Sequence, residues 1–191
     1  MSSQAAEPDP IRALLPGFAP ENELERRVTG DPELLEGLAW GEPRPGHPEG
    51  SVAAHVGHLL ETLDEWDEPS ERRAALRFIA LVHDAFKGEV IERLPKMGRN
   101  HHADRARRFA ERYTDDEAIL STIQHHDRPY ALWRKMRRKG ELDERGFRKM
   151  LDDLPDIALF VRFVELDGST EGKDPEPVEW LRGELEKRGA L

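Results

Sequence analysis

A chain of 191 residues with a formal net charge of -10 at pH 7 and no cysteine has room for one domain with a real hydrophobic core. Disulfides and thiolate metal sites are excluded, and the lack of cysteine fits a cytoplasmic protein. The acidic balance argues against general nucleic-acid binding; the opening MSSQAAEPDPIRALLPG does not read as a secretory leader, and no run of about eighteen apolar residues offers a membrane span.

The predicted elements are helices throughout. The first fifty residues, with Pro8, Pro10, Pro16, Pro20 and Pro32, read as short helices wrapped on the main bundle. This gives an N-terminal extension over 1–46 and a helical domain over 47–191. After the turn-rich GEPRPGHPEG, Ser51 reads as an N-cap. Val52, Val56, Leu59, Leu60 and Leu63 then repeat at the helical period. His55 falls on that apolar face, whereas His58 lies one turn along and His47 sits in the proline-rich turn as a structural residue. A helix is expected over roughly 70–86, capped by Ser70, with Leu76, Ile79, Ala80 and His83 on one face and Gly88 just past its end. Residues 88–100, with Pro95, Gly98 and Asn100, read as a loop. Further helices are expected near 101–113, 115–126, 129–139, 143–152, 155–167 and 175–188. No segment alternates with period two, so the fold class is all-α, a single-domain helical bundle.

Charge is unevenly spread. From Arg128 to Lys149 there are nine basic residues against three acidic ones. Such a patch on an acidic chain suits a small phosphorylated ligand; as a solvated helix pair it would equally balance acidic neighbours. Arg93, Lys96 and Arg99 in the loop, and the segment 128–139 with Arg128, Tyr130 and Trp133, are expected to border a pocket, where aromatic and cationic groups together suit a nucleobase and a phosphate. Trp133 and Met136 fit core positions as well.

The chemistry-bearing residues are His55, His83-Asp84, His101-His102, His125-His126 and Asp167. A lone histidine on an apolar face is usually a hydrogen-bonded core residue. Several ionisable residues on core-facing positions of different helices, however, are costly to bury without a shared partner. A divalent cation held by nitrogen and oxygen is the simplest one, and helical bundles host such sites.

The order His55, His83-Asp84, Asp167 resembles the signature of the HD superfamily of metal-dependent phosphohydrolases. HPEGSVAAHVGHLLETL is similar to the opening of the HD domains attached to bacterial CCA-adding enzymes. LVHDAFKGE resembles the family's HD-x-x-K stretch, with Lys87 at the lysine position. HHADRARRFAERY, TIQHHD and FVELDGS resemble the later motifs, and His102 is favoured in the first of these because Ala106 follows at the small-residue position. The likeness covers roughly 47–170. DRPYALW after His125-His126 departs from the pattern of the cyclic-di-nucleotide phosphodiesterases.

The resemblance implies an HD-type bundle in which His55, His83, Asp84 and Asp167 hold one divalent metal. Asp84 would bridge to a second, bound by His102 and by His125 or His126. Whether one ion or two bind, and whether Mn, Fe, Mg, Co, Ni or Zn, stays open. The implied activity is hydrolysis of a phosphate ester, a nucleotide or other small phosphorylated molecule, by metal-activated hydroxide. Asp84 and Lys87 would be catalytic, and Lys87, Arg93, Lys96, Arg99 and Arg128 would contact substrate. Two alternatives share the ligand set: a di-iron oxygenase of the same superfamily, and a binding module that keeps the metal without turnover.

Overall fold

Helix starts are set by side chains that accept the free N–H groups of a first turn. Asn22, Asp31, Ser51, Asp116, Asp143 and Asp156 each do so in the computed structural model, which describes residues 9–43, 50–170 and 172–191. Each cap of this kind stabilises its helix by about 1 kcal/mol. The helices are α1 (Pro10–Leu14), α2 (Glu23–Thr29), α3 (Pro32–Ala39), α4 (Val52–Asp64), α5 (Ser70–Val82), α6 (His102–Ala110), α7 (Glu117–His125), α8 (Arg128–Lys139), α9 (Glu144–Asp152), α10 (Ile157–Gly168) and α11 (Glu176–Lys187). Among the described residues there is no strand; the fold is all-α.

The apolar faces merge into two neighbouring cores. The larger joins α1, α3, α4, α5, α6 and α7 through Ile11, Leu38, Leu59, Phe78, Phe109 and Leu120, among others. The smaller joins α8, α9 and α11 through Leu132, Phe147, Met150, Leu181 and Leu185. Helix α10 belongs to both. Its Leu159, Phe163 and Leu166 face the larger core, and its Phe160, Val161 and Val164 face the smaller.

Two polar ties fasten the N-terminal helices. Glu25 of α2 is fully buried against the guanidinium of Arg77 on α5, with Nε–Oε1 at 2.9 Å and Nη2–Oε2 at 3.0 Å. This bidentate pairing is the arrangement that makes a buried charge tolerable. Asp31, the cap of α3, also accepts from the Tyr113 hydroxyl at 2.5 Å and pairs with Arg112 just past α6.

The structure corrects three local expectations. The 70–86 helix stops at Val82, so His83 and Asp84 lie beyond it. Past that point the chain tightens into i→i+3 bonds, Ala85 N to Val82 O and Lys87 N to Asp84 O. The turn then passes Trp40 so closely that a Cβ on Gly88 would lie 2.6 Å from the indole ring. Pro69 rather than Ser70 occupies the N-cap position, without a side-chain bond. The 88–100 loop is built on Asn100, whose side chain accepts from Ile91 N and donates to the carbonyls of Ile91, Leu94 and Pro95. On α8 it is Leu132 that is buried; Trp133 and Met136 are only half-buried. Ser51 caps α4 as expected, while His47, Pro48 and Glu49 of the HPEG turn lie outside the described residues.

Candidate metal centre

Five segments deliver the polar cluster into the interior. His55 points inward from the first turns of α4. His83 and Asp84 follow the end of α5. His102 opens α6, and His126 sits at the C-terminal cap of α7. Asp167 comes from the last turn of α10. His55, His83, Asp84 and His126 are all buried.

The cluster divides into two triads that share Asp84. His55, His83 and Asp84 form one, and Asp84, His102 and His126 the other; within each, the ligand atoms lie within 4.8 Å of one another. Asp84 turns one carboxylate oxygen to each side. Its Oδ2 is 3.4 Å from His83 Nε2 and 4.0 Å from His55 Nε2. Its Oδ1 is 3.4 Å from His126 Nε2 and 3.5 Å from His102 Nε2. Asp167 closes the first triad, with Oδ1 2.9 Å from His55 Nε2 and 3.7 Å from His83 Nε2.

The imidazoles are oriented from behind. His83 Nδ1 donates to Ala80 O at 3.0 Å and His126 Nδ1 donates to Ile123 O at 2.8 Å. His55 Nδ1 meets the Thr170 hydroxyl at 3.3 Å. Each ring thus commits Nδ1 outward and turns Nε2 to the centre, the orientation that outer hydrogen bonds impose on metal-binding histidines. His83 Nε2 and Asp84 Oδ1 are buried without a hydrogen-bond partner. Orphaned polar atoms of this kind are expensive. A nitrogen-and-oxygen donor set with two such atoms aimed at its centre fits divalent cations, so these groups can hold a metal ion.

Charge interactions override burial at Asp84, Asp167 and His83. Burial alone would raise the Asp84 carboxyl, but the charges of His83 and Lys87 and the close approach of the His126 and His83 rings hold it well below the usual carboxylate range. Asp167 is likewise pulled far down against burial by Lys173, His55 and His83. Burial would lower His83, yet Asp84 and Asp167 lift it to about 9. Burial and the neighbouring His126 push His102 down to about 3.

The centre opens into a cavity of about 540 Å³. Lys87 lines it, with Nζ 2.5 Å from Asp84 Oδ2. Val164, Pro129, Pro177 and Val178 form an apolar wall, and the half-exposed Tyr130 stands among the lining residues.

Several candidates lie elsewhere. His125 turns toward Asp153, 3.7 Å away, and away from the cluster. The helical twist of α7 separates the two adjacent histidines by about 100°. Arg93, Lys96, Arg99 and Arg128 do not line the cavity; Lys96 and Arg128 border a separate polar hollow with His125, Lys149 and Asp153. Asn100 clamps the backbone at Ile91, Leu94 and Pro95, and residues 91–99 are exposed. His58 is exposed, outside the centre. Three neighbours escape a reading of the sequence. Asp127 lies 3.1 Å from His101 Nε2 and 3.9 Å from His102 Nε2. Thr170 backs His55, and Lys173 contacts Asp167. Only Asp127 carried a sequence signal, a carboxylate directly after a histidine pair.

Comparison with family models, with curated proteins and with solved structures finds no match.

Proposed function

We propose that the chain is a metal-dependent phosphohydrolase of the HD type, acting on a nucleotide or another small phosphorylated molecule. One observation carries the reading: the two oxygens of Asp84 are divided between two histidine triads beside a lysine-lined cavity. A carboxylate so placed suits a pair of cations that share it. His55, His83, Asp84 and Asp167 would hold one, and Asp84, His102 and His126 the other. When bound, such ions neutralise phosphate charge and acidify water so that hydroxide is available at neutral pH.

The chain's own groups account for the remaining requirements. The outward hydrogen bonds of His55, His83 and His126 fix their rings in advance, so little reorganisation is needed on binding. Lys87 brings a positive charge to the rim of the centre, where phosphate charge grows in the transition state. The apolar wall with Tyr130 gives a flat face for a ring and limits access of bulk water. The cavity volume lies within the range of small-molecule sites.

The test pairs elemental analysis with a screen of nucleotides and phosphomonoesters for released phosphate. Metallated protein is expected to release phosphate from a member of this set, and Asp84→Ala to lower turnover by roughly a thousandfold or more. Fully metallated protein that releases none, or that consumes oxygen with iron instead, would overturn the reading.

A further inference from the structure

We propose that Lys173 is a built-in counter-ion which a bound metal displaces, and that the displaced ammonium then grips the phosphate of the substrate. This rests on the metal-dependent reading above and specifies how that site is switched from neutralised to anion-binding.

Lys173 stands in the 169–175 link between α10 and α11, directly after Gly172, whose φ is 83°. Its Nζ donates to Asp167 Oδ1 at 2.7 Å and to the Asp167 carbonyl at 2.8 Å. The same Oδ1 is the atom that Asp167 offers to the first triad, 2.9 Å from His55 Nε2. The ammonium therefore shares the oxygen that a cation between His55 and His83 would use. Two cations on one carboxylate oxygen repel each other strongly where water is scarce. The divalent ion has the greater charge and the imidazole nitrogens besides, so the ammonium gives way.

It has somewhere to go. The Lys173 side chain is partly exposed and lines the cavity, and its four-carbon stem lets the head swing without moving the backbone. Lys87 lines the same cavity, paired with Asp84 Oδ2. Each of these lysines is thus matched by a carboxylate of the centre. Loading metal onto the carboxylates leaves the Lys173 ammonium facing the cavity, across from the cations. An anion held between them meets positive charge on both sides.

The full-length protein, its Lys173→Met variant and its Lys173→Arg variant would be titrated calorimetrically with Mn2+. The Mn-loaded forms would then be titrated with inorganic phosphate. Lys173→Met is expected to bind Mn2+ about fivefold tighter or more, and its loaded form to bind phosphate about tenfold weaker, with Lys173→Arg restoring phosphate affinity. Unchanged or weaker Mn2+ binding in Lys173→Met would overturn the proposal and leave Lys173 as a prop for Asp167. Tighter Mn2+ with unchanged phosphate affinity would overturn the phosphate role. Wild-type protein that takes up no Mn2+ would instead overturn the metal reading itself, and this proposal with it.

Discussion

His125 and His126 are neighbours in the chain, yet one faces Asp153 and the other Asp84. If the second triad holds a cation, the two positions should respond oppositely. His126→Ala is expected to lower bound metal from two ions to one per chain and turnover by about a hundredfold or more, whereas His125→Ala should leave the metal count unchanged. Elemental analysis of reconstituted variants checks this, and equal losses would place both rings in the centre. The sequence gives His55 away because an ionisable ring sits on an otherwise apolar helical face, and Asp84 because it adjoins a second such ring. Of the histidine pairs, it favours His102 only through the Ala106 of the resembled motif; which ring of His125 and His126 turns inward depends on where a helix starts and stops. Arg93, Lys96, Arg99 and Arg128 mislead because a positive charge near ligand residues in the chain carries no direction in space. Lys173 is silent for the converse reason: a lysine in a polar link shows nothing until the fold brings Asp167 within 2.7 Å of it.

At the scale of elements, the helix periods and most starts are legible, because apolar spacing and capping residues are local signals. The end of α5 at Val82 is not. It is decided by the His83 bond to Ala80 O and by the approach of Trp40 to Gly88, both products of the folded state. Asp31 is a second case. As a cap it serves α3 alone, but the fold also makes it a latch onto the end of α6. Burial would raise its carboxyl, but the Tyr113 hydroxyl, the Glu33 amide and the Arg112 charge bring it below its ordinary value. A folded value below the unfolded one means that the unfolded chain binds more protons in that window. The contribution is therefore complete above pH of about 4 and fades as pH falls through the lowered folded value. Asp31→Asn keeps a capping oxygen and removes the charge, so it is expected to cost about 1 kcal/mol at pH 7 and distinctly less near pH 3, read from urea unfolding of both proteins. An equal loss at both values would show that the charge of Asp31 contributes nothing.

At the scale of the molecule, the candidate centre lies where α4, the end of α5, α6, α7 and α10 converge, so a bound cation would tie together most of the larger core. A ligand that binds only the folded chain raises its stability by mass action, about 2.7 kcal/mol at a hundredfold excess over Kd. For a chain of this size that corresponds to a rise in Tm of roughly 5–10 °C. Scanning calorimetry with metal and with chelator measures it, and identical transitions would show that the folded protein has no preferential affinity. The sequence spacing of the donors has a separate consequence, for biosynthesis. His55 and Asp167 meet across 112 positions. A chain synthesised at about 5–20 residues per second exposes His55 several seconds or more before that aspartate. The short helices α1 to α3 cannot hold shape alone in the interval, and Glu25 waits for Arg77. A cation arriving early finds only partial donor sets, with little to favour one metal over another. Metal selection would thus fall to the completed fold, late in the life of the nascent chain, and its outcome would depend on which ion is available at that moment.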